Sequence, residues 1–227
     1  MTEELKRAAA EKALALVQDG MLVGLGSGTT ARYFTEGLGR LVAAGTKVMG
    51  VPTSRETAEL AAELGIPIVT ELVGQIDLSV DGADEVDPAL DLIKGRGGAL
   101  FREKLVAAAS KRFVVVVDES KLVKQLGVGV LPVEVLPFLW RLTAERIAAL
   151  GVSLVVRGGE ETPYITDNGN LILDLTFEGG IKKPADLSVK LKNVIGVVET
   201  GLFVGMTDTV IVAGPEGPRA LGRSSAA

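Results

Sequence analysis

Four apolar runs mark out the first 120 residues: MLVGLG (21–26), KVMGV (47–51), IDLSVDG (76–82) and FVVVVDES (113–120). Each is short and rich in Val, Leu or Ile, so each reads as a strand. Amphipathic stretches fill the gaps between them. Residues 3–17 carry Leu5, Ala9, Ala13 and Leu16 at helical spacing, with Glu3 and Glu4 in the first turn and Gly20 beyond the end. A second helix is predicted over 29–43. Thr53 and Glu56 form a capping box for a third, which ends at Gly65 with Pro67 behind it. A fourth is expected near 102–109. Apolar strands alternating with such helices confine the chain to an α/β fold with a doubly wound parallel sheet.

The pattern changes after about residue 130. LPVEVLPFLWRL is predicted to run from a strand into a helix that starts at Pro137 and stops at Gly151. VSLVVR (152–157) and YITDNGNLILDL (164–175) read as antiparallel strands, with Asp167-Asn168-Gly169 as the hairpin turn. A helix around 184–192 and a short strand near 195–198 follow. TDTVIVAG (207–214) reads as a strand returning to the first sheet, and the last dozen residues are expected to fray. The material between is α+β in character and suits a smaller second domain.

Composition removes whole classes of chemistry. The chain has neither cysteine nor histidine. Disulfides, thiolate nucleophiles, the Ser-His-Asp triad and most catalytic zinc sites are thereby excluded. Acid–base work must run on Asp, Glu, Lys or Tyr. The net charge is −5 with no basic run, so nucleic acid is not an expected partner. The longest uncharged stretch, residues 20–31, is too short to span a bilayer, and MTEELKR does not resemble a signal peptide. A cytoplasmic protein is expected. Asparagine is confined to Asn168, Asn170 and Asn193, a scarcity of thermolabile residues that fits a thermophilic source.

Three polar loops each follow a strand of the first half: GSGTT (26–30), DGADEVD (81–87) and DESK (118–121). In an open parallel sheet ligands bind outside the carboxyl ends of strands, at the switch point of the topology, and all three loops fall on that edge. Ser27, Gly28, Thr29 and Thr30 place hydroxyls and exposed backbone at a helix start, which suits a phosphate. A dinucleotide fingerprint competes, but Thr29 stands where its last glycine belongs. Asp81, Asp84, Glu85 and Asp87 could bind a hard cation, but the EF-hand spacing is missing, and carboxylates hydrogen-bonding sugar hydroxyls are the better reading. In KGRGGALFREK (94–104), Lys94 beside Gly95, Arg96, Gly97 and Gly98 joins a cation to exposed N–H groups, an arrangement for an oxyanion. Glu103 follows in the first turn of a helix, where the dipole alone would favour an acid.

Together GLGSGTT, DGADEVD, KGRGGALFREK and DESK resemble the A-type ribose-5-phosphate isomerase family. LPVEVLP (131–137), TDNGN (166–170) and GLF (201–203) extend the resemblance over nearly the whole chain. The resemblance implies a Rossmann-like domain, residues 1–130 and 207–227, with a smaller inserted α+β domain, 131–206, serving as lid or oligomerisation unit. It implies interconversion of ribose 5-phosphate and ribulose 5-phosphate in the pentose phosphate pathway, without metal or cofactor, by a homo-oligomer, dimer or tetramer. Glu103 matches the general base, Asp81 the residue that helps open the sugar ring, and Asp84 and Lys94 the groups holding hydroxyls and the oxyanion. Gly82 and Ala83 lie in the same binding loop, and residues 95–97 add backbone donors. Ser27 to Thr30, Lys121 and Lys6 match the phosphate-binding positions.

Two other readings compete. An amino-sugar-phosphate deaminase or coenzyme A transferase shares a similar fold, but the deaminase is expected to use a histidine. A non-catalytic sugar-phosphate sensor is expected to carry a winged helix ahead of the sugar domain, and a first strand near residue 21 leaves no room for one. It would also be expected to lose Glu103 or Lys94, and both are present.

Overall fold

The structure, a computed structural model, describes residues 3–69, 71 and 74–222. In chain order it begins α1 (Glu3–Leu14), β1 (Leu22–Leu25), α2 (Thr29–Ala43), β2 (Met49–Pro52), α3 (Arg55–Glu63) and β3 (Leu78–Asp81). Two short strands, β4 (Glu85–Val86) and β5 (Leu92–Ile93), precede α4 (Leu100–Ala108), β6 (Phe113–Asp118) and a 3₁₀ turn at Glu119–Lys121. Then come β7 (Leu131–Val135), α5 (Trp140–Ala148), β8 (Ser153–Val156), β9 (Leu171–Thr176) and α6 (Pro184–Lys192). The chain closes with β10 (Val197–Thr200), β11 (Leu202–Phe203), β12 (Thr209–Gly214) and β13 (Gly217–Gly222). These elements form two compact units. One comprises Met1–Ala83, Arg102–Lys121 and Met206–Ala227, the other Asp84–Phe101 and Leu122–Gly205.

The first unit is built on a six-stranded sheet in the order β13-β12-β6-β3-β1-β2. Every neighbouring pair is parallel except β12 with β13. The run FVVVVD of β6 is buried at all six positions because the strand is paired on both edges and covered on both faces. Phe34 and Leu38, one turn apart on α2, pack with Ala9, Ala13 and Leu14 of α1 onto Leu25, Val80, Val114 and Ile211. Burying Phe34 completely contributes about 1.5–3 kcal/mol. From β1 the chain goes to β2 on one side and returns with β3 on the other, so the order reverses between β1 and β3. Their carboxyl ends lie side by side, with the Gly26 N–H donating to Val80 O at 3.0 Å.

Two local expectations for this unit change. The cap of α3 is Ser54, not Thr53: the Ser54 hydroxyl accepts the Thr57 N–H at 3.1 Å. Thr53 is turned inward instead, donating to Leu25 O at 2.9 Å. The end of the chain does not fray where expected either. Residues 217–222 form β13, paired with β12 along its whole length, while 223–227 lie outside the described residues.

The second unit holds a four-stranded antiparallel sheet, β10-β7-β9-β8, and a three-stranded one, β11-β5-β4. Its core gathers Leu131, Val133 and Val135 of β7 with Leu171, Leu173 and Leu175 of β9, covered by Ile147 of α5 and Leu191 of α6. Polar Asp174 stands between Leu173 and Leu175 on the opposite face of β9, but that face is covered too where Ile172 and the neighbouring Glu134 are fully buried. Pro137 is not the first residue of α5. Leu139, in the left-handed region at φ 53°, breaks the chain between them, and the helix starts at Trp140. The Asp167-Asn168-Gly169 turn exists, with the Gly169 N–H on Thr166 O, but it closes the single bridge Ile165–Leu171 rather than joining β8 to β9 directly. The segment after Asp84 is also less of a loop than expected, since Glu85 and Val86 pair with Ile93 and Leu92.

Candidate active site

In the first unit the connection from β1 to α2 is Gly26-Ser27-Gly28. Gly26 is required by proximity, because a Cβ there would overlap the Asp81 carboxylate and Cα. Asp81 ends β3 and is 1% exposed. Its Oδ1 accepts the Ser27 N–H at 3.1 Å and the Gly82 N–H at 2.7 Å, so one carboxylate knits the two loops together. The Ser27 hydroxyl lies 2.8 Å from Thr53 Oγ1 and 3.3 Å from Thr57 Oγ1, and Thr57 donates to Gly26 O at 3.2 Å. These two threonines, one just after β2 and one in α3, brace the loop.

The start of α2 is left open for an anion. Gly28 stands at the N-cap without a side-chain cap, and no acid occupies the first turn. Among the described residues no capping side chain at Gly28 and no first-turn acid offsets the first N–H groups and the positive end of the helix dipole. Thr29 is exposed and Thr30 half-buried, and Lys6 Nζ donates to Thr29 Oγ1 at 3.1 Å, which brings a cation to the same place. A cavity of about 240 Å³ opens beside Gly26, Gly28 and Thr29. Lys121 ends the 3₁₀ turn after β6, half-buried, in a turn shaped by the Ser120 N–H on Asp118 Oδ1 at 2.8 Å. Glu103 sits in the first turn of α4 at 5% exposure, and its Oε2 accepts no hydrogen bond among the described residues although the side chain has other partners. Ala83, half-buried, is the last residue of this unit before the chain passes into the other.

Asp84 and Lys94 belong to the second unit. The Asp84 N–H pairs with Ile93 O, and its Oδ2 accepts the Arg96 N–H at 3.0 Å, fixing the loop that carries Lys94. Lys94 is 2% exposed, its N–H bonds Gly201 O at 2.9 Å, and Nζ lies 5.6 Å from the centre of the buried Phe203 ring. Gly95, at φ 99°, lets the chain reverse after Lys94, and the Gly98 N–H closes the turn on Gly95 O at 3.0 Å. Glu85 and Asp87 are not ligands in waiting. Glu85 accepts the N–H groups of Gly127, Val128 and Gly129 at 2.7, 3.2 and 2.6 Å, and Asp87 those of Ala89 and Asp91 at 2.9 Å. Among the described residues no group of three or more Asp or Glu side chains is placed to hold a metal ion.

The model of the ribose 5-phosphate isomerase A (phosphoriboisomerase A) family matches residues 49–217. The chain belongs to the ribose 5-phosphate isomerase A family. Among curated relatives of this family, ribose-5-phosphate isomerase A 1 of Oceanobacillus iheyensis is 51% identical over 212 residues, 92% of this chain and 94% of its own. A solved D-ribose-5-phosphate isomerase in complex with phospho-erythronic acid is 42% identical, with a TM-score of 0.93 over 98% of this chain and 100% of its own. The ribose 5-phosphate isomerase A of Methanocaldococcus jannaschii is 41% identical, with a TM-score of 0.92 over the same shares.

Several residues of this ribose 5-phosphate isomerase A family chain that shape the loops escaped the sequence reading. Thr57 is distant in sequence from Ser27 and carries no periodicity of its own, and Thr53 reads from sequence only as a helix cap. Arg157 and Tyr164 reach the 95–97 loop from far along the chain, 62 positions from Gly95 and 67 from Gly97 respectively. Glu85 did stand out as an acid in DGADEVD, and its burial at 2% is what makes it a structural anchor.

Proposed function

We propose that the protein interconverts D-ribose 5-phosphate and D-ribulose 5-phosphate, a step of the non-oxidative pentose phosphate pathway, with Glu103 as general base. The observation that carries this reading is the uncapped start of α2 held against the Asp81 carboxylate at the switch point of the sheet. The phosphate is assigned to the N–H and hydroxyl groups of Ser27 to Thr30, with Lys121 and Lys6 supplying charge. Asp81 moves the proton that opens the furanose ring, and Asp84 holds hydroxyls, with Gly82 and Ala83 lining the same loop. Glu103 takes the proton from carbon 2 of the open aldose, the C–H electrons form the carbon 1–carbon 2 double bond, and charge gathers on the carbonyl oxygen. Lys94 and the backbone donors of residues 95–97 stabilise that oxyanion. Glu103 then returns the proton to carbon 1 while the proton of the carbon 2 hydroxyl passes to the oxygen on carbon 1, leaving the ketose with its carbonyl at carbon 2. Phospho-erythronic acid in the related structure is a sugar-acid phosphate, which supports this class of substrate.

The protein is further read as a cytoplasmic homo-oligomer. The apolar LPFLW segment, with Phe138 82% and Leu139 60% exposed, supports self-association through the second unit. The central test incubates chelator-treated protein with ribose 5-phosphate and follows ketose formation beside Glu103→Gln. Loss of about 10² to 10⁴ in kcat with KM retained is expected for the variant. Equal turnover by both proteins would remove Glu103 from the role of base, and no turnover by the wild type would sink the reading as a whole.

A further inference from the structure

Behind the Lys94 loop stands an arginine that the reaction as described does not use. Arg157 follows β8, its own N–H bonded to Ile172 O at 2.9 Å and its carbonyl accepting the Tyr164 N–H at 2.8 Å. Its guanidinium is only 15% exposed and forks onto Asp174, with Nε on Oδ2 at 2.9 Å and Nη2 on Oδ1. The remaining nitrogen, Nη1, donates to two successive carbonyls, Gly95 O at 3.0 Å and Arg96 O at 2.9 Å. Tyr164 adds a weaker contact to the third, Gly97 O, at 3.4 Å. Tyr164 is itself held by the turn that follows it, where Thr166, Asn168 and Asn170 all donate to the buried Glu134 Oε1 at 2.8–3.0 Å.

A trans peptide is planar, so fixing its C=O fixes the opposite direction of its N–H. The Gly95–Arg96 peptide obeys this: Arg157 takes the carbonyl, and Asp84 Oδ2 takes the N–H at 3.0 Å. In the next peptide Arg157 takes Arg96 O, which directs the Gly97 N–H away from the guanidinium, on an exposed residue. Glycines at 95, 97 and 98 offer little steric resistance to a peptide flip. A flip would replace that donor with a carbonyl.

We propose that Arg157 is a positioning residue for the isomerisation: anchored on Asp174, it locks the 95–97 peptides so that the Gly97 N–H faces the developing oxyanion. The inference rests on the reading that this loop stabilises an enediolate. Its function is to hold orientation, which is why an arginine with five donors is needed to bind a carboxylate and two carbonyls at once.

The test compares wild type with Arg157→Gln and Arg157→Lys. Each is measured for kcat and KM on ribose 5-phosphate and for inhibition constants of phospho-erythronic acid and inorganic phosphate. For Arg157→Gln we expect kcat to fall about 10- to 100-fold, below the full loss of an oxyanion donor because the flip is partial. KM and the constant for inorganic phosphate should stay within about threefold, since those report binding common to ground and transition states. Phospho-erythronic acid, which carries an anionic carboxylate in addition to its phosphate, should bind about tenfold or more weakly if that carboxylate draws on the same donors as the oxyanion. A kcat within twofold of wild type, or a parallel loss of phosphate binding, overturns the proposal. If Arg157→Gln does not fold, Arg157→Lys decides: it keeps the charge on Asp174 but cannot reach both carbonyls, and undiminished kcat in it is equally fatal. A wild type without isomerase activity overturns the parent reading rather than the role of Arg157 alone.

Discussion

Asp81 and Ser27, fifty-four positions apart, are joined by the Ser27 N–H on Asp81 Oδ1 at 3.1 Å, and the same oxygen accepts the Gly82 N–H at 2.7 Å. A group assigned to ring opening is thereby also the clamp that sets the phosphate loop. On the proposed assignment, binding of one end of the sugar phosphate and chemistry at the other would share an atom.

The clamp makes Gly26 intolerant of any side chain. Gly26→Ala puts a Cβ into Asp81, backbone included, so the strand ends must separate. Overpacking of this kind costs about 1–3 kcal/mol, read as a lower midpoint of urea unfolding. Isomerase kcat/KM should drop far more than that loss of stability explains, because Asp81 and the loop shift together. A Gly26→Ala enzyme with wild-type kinetics would show that the clamp is dispensable.

On the proposed assignment, Lys121 serves phosphate binding and not the proton transfer. Lys121→Ala is expected to raise KM roughly tenfold with kcat changed less than about threefold, the pattern for an interaction equally strong in ground and transition states. Raising the salt concentration should shrink the difference from wild type. Steady-state kinetics at two ionic strengths checks both points.

Ser54 and Thr53 are neighbours with different duties. Ser54→Ala removes the cap of α3 and should cost about 1 kcal/mol with kinetics unchanged. Thr53→Val instead removes the hydroxyl that meets Ser27 Oγ and Leu25 O, and should raise KM. Thermal unfolding and kinetics of the pair test the assignment, and it fails if the two variants behave alike.

Asp77 links stability to acid. The Lys111 ammonium at 2.7 Å, and next the Leu22 N–H at 2.9 Å, hold its carboxyl below the ordinary aspartate value of 3.8. A carboxylate depressed in the folded state stabilises above its unfolded pKa, and that contribution fades as pH falls through the lower folded value. Asp77→Asn should therefore unfold at lower temperature than wild type at pH 7, with the gap closing below about pH 4. A gap independent of pH would assign the effect to shape rather than charge. The side chain is about a third exposed, so the effect is small.

Elements with strong periodicity were legible from residues alone. Helices over 29–43 and 184–192 have the predicted bounds, because apolar spacing, a glycine start and a proline at N1 all act locally. The family resemblance named the loops that carry polar groups. What escaped were choices between adjacent residues and contacts across long separations. Thr53 and Ser54 are equally good caps by type, and only the pull of Leu25 O and Ser27 on Thr53 decides between them. Leu139 at positive φ defeats the proline rule at Pro137, since a leucine gives no sign of adopting the left-handed region. Arg157 looks like any surface arginine until Asp174 and two carbonyls are found around it.

The final strand has a further consequence for how copies of this chain can meet. Without β13, the apolar strand TVIVAG of β12 would present a row of unpaired N–H and C=O groups, a template for another chain. β13 occupies that row and is itself a poor template. Pro218 lacks a donor, and its carbonyl is taken by Lys12 Nζ at 2.8 Å, while Arg219 is committed to Glu119 at 3.3 Å. Growth of the sheet from one molecule into the next is blocked on this side. Trimming the chain back to Pro215 would lift the block and favour aggregation.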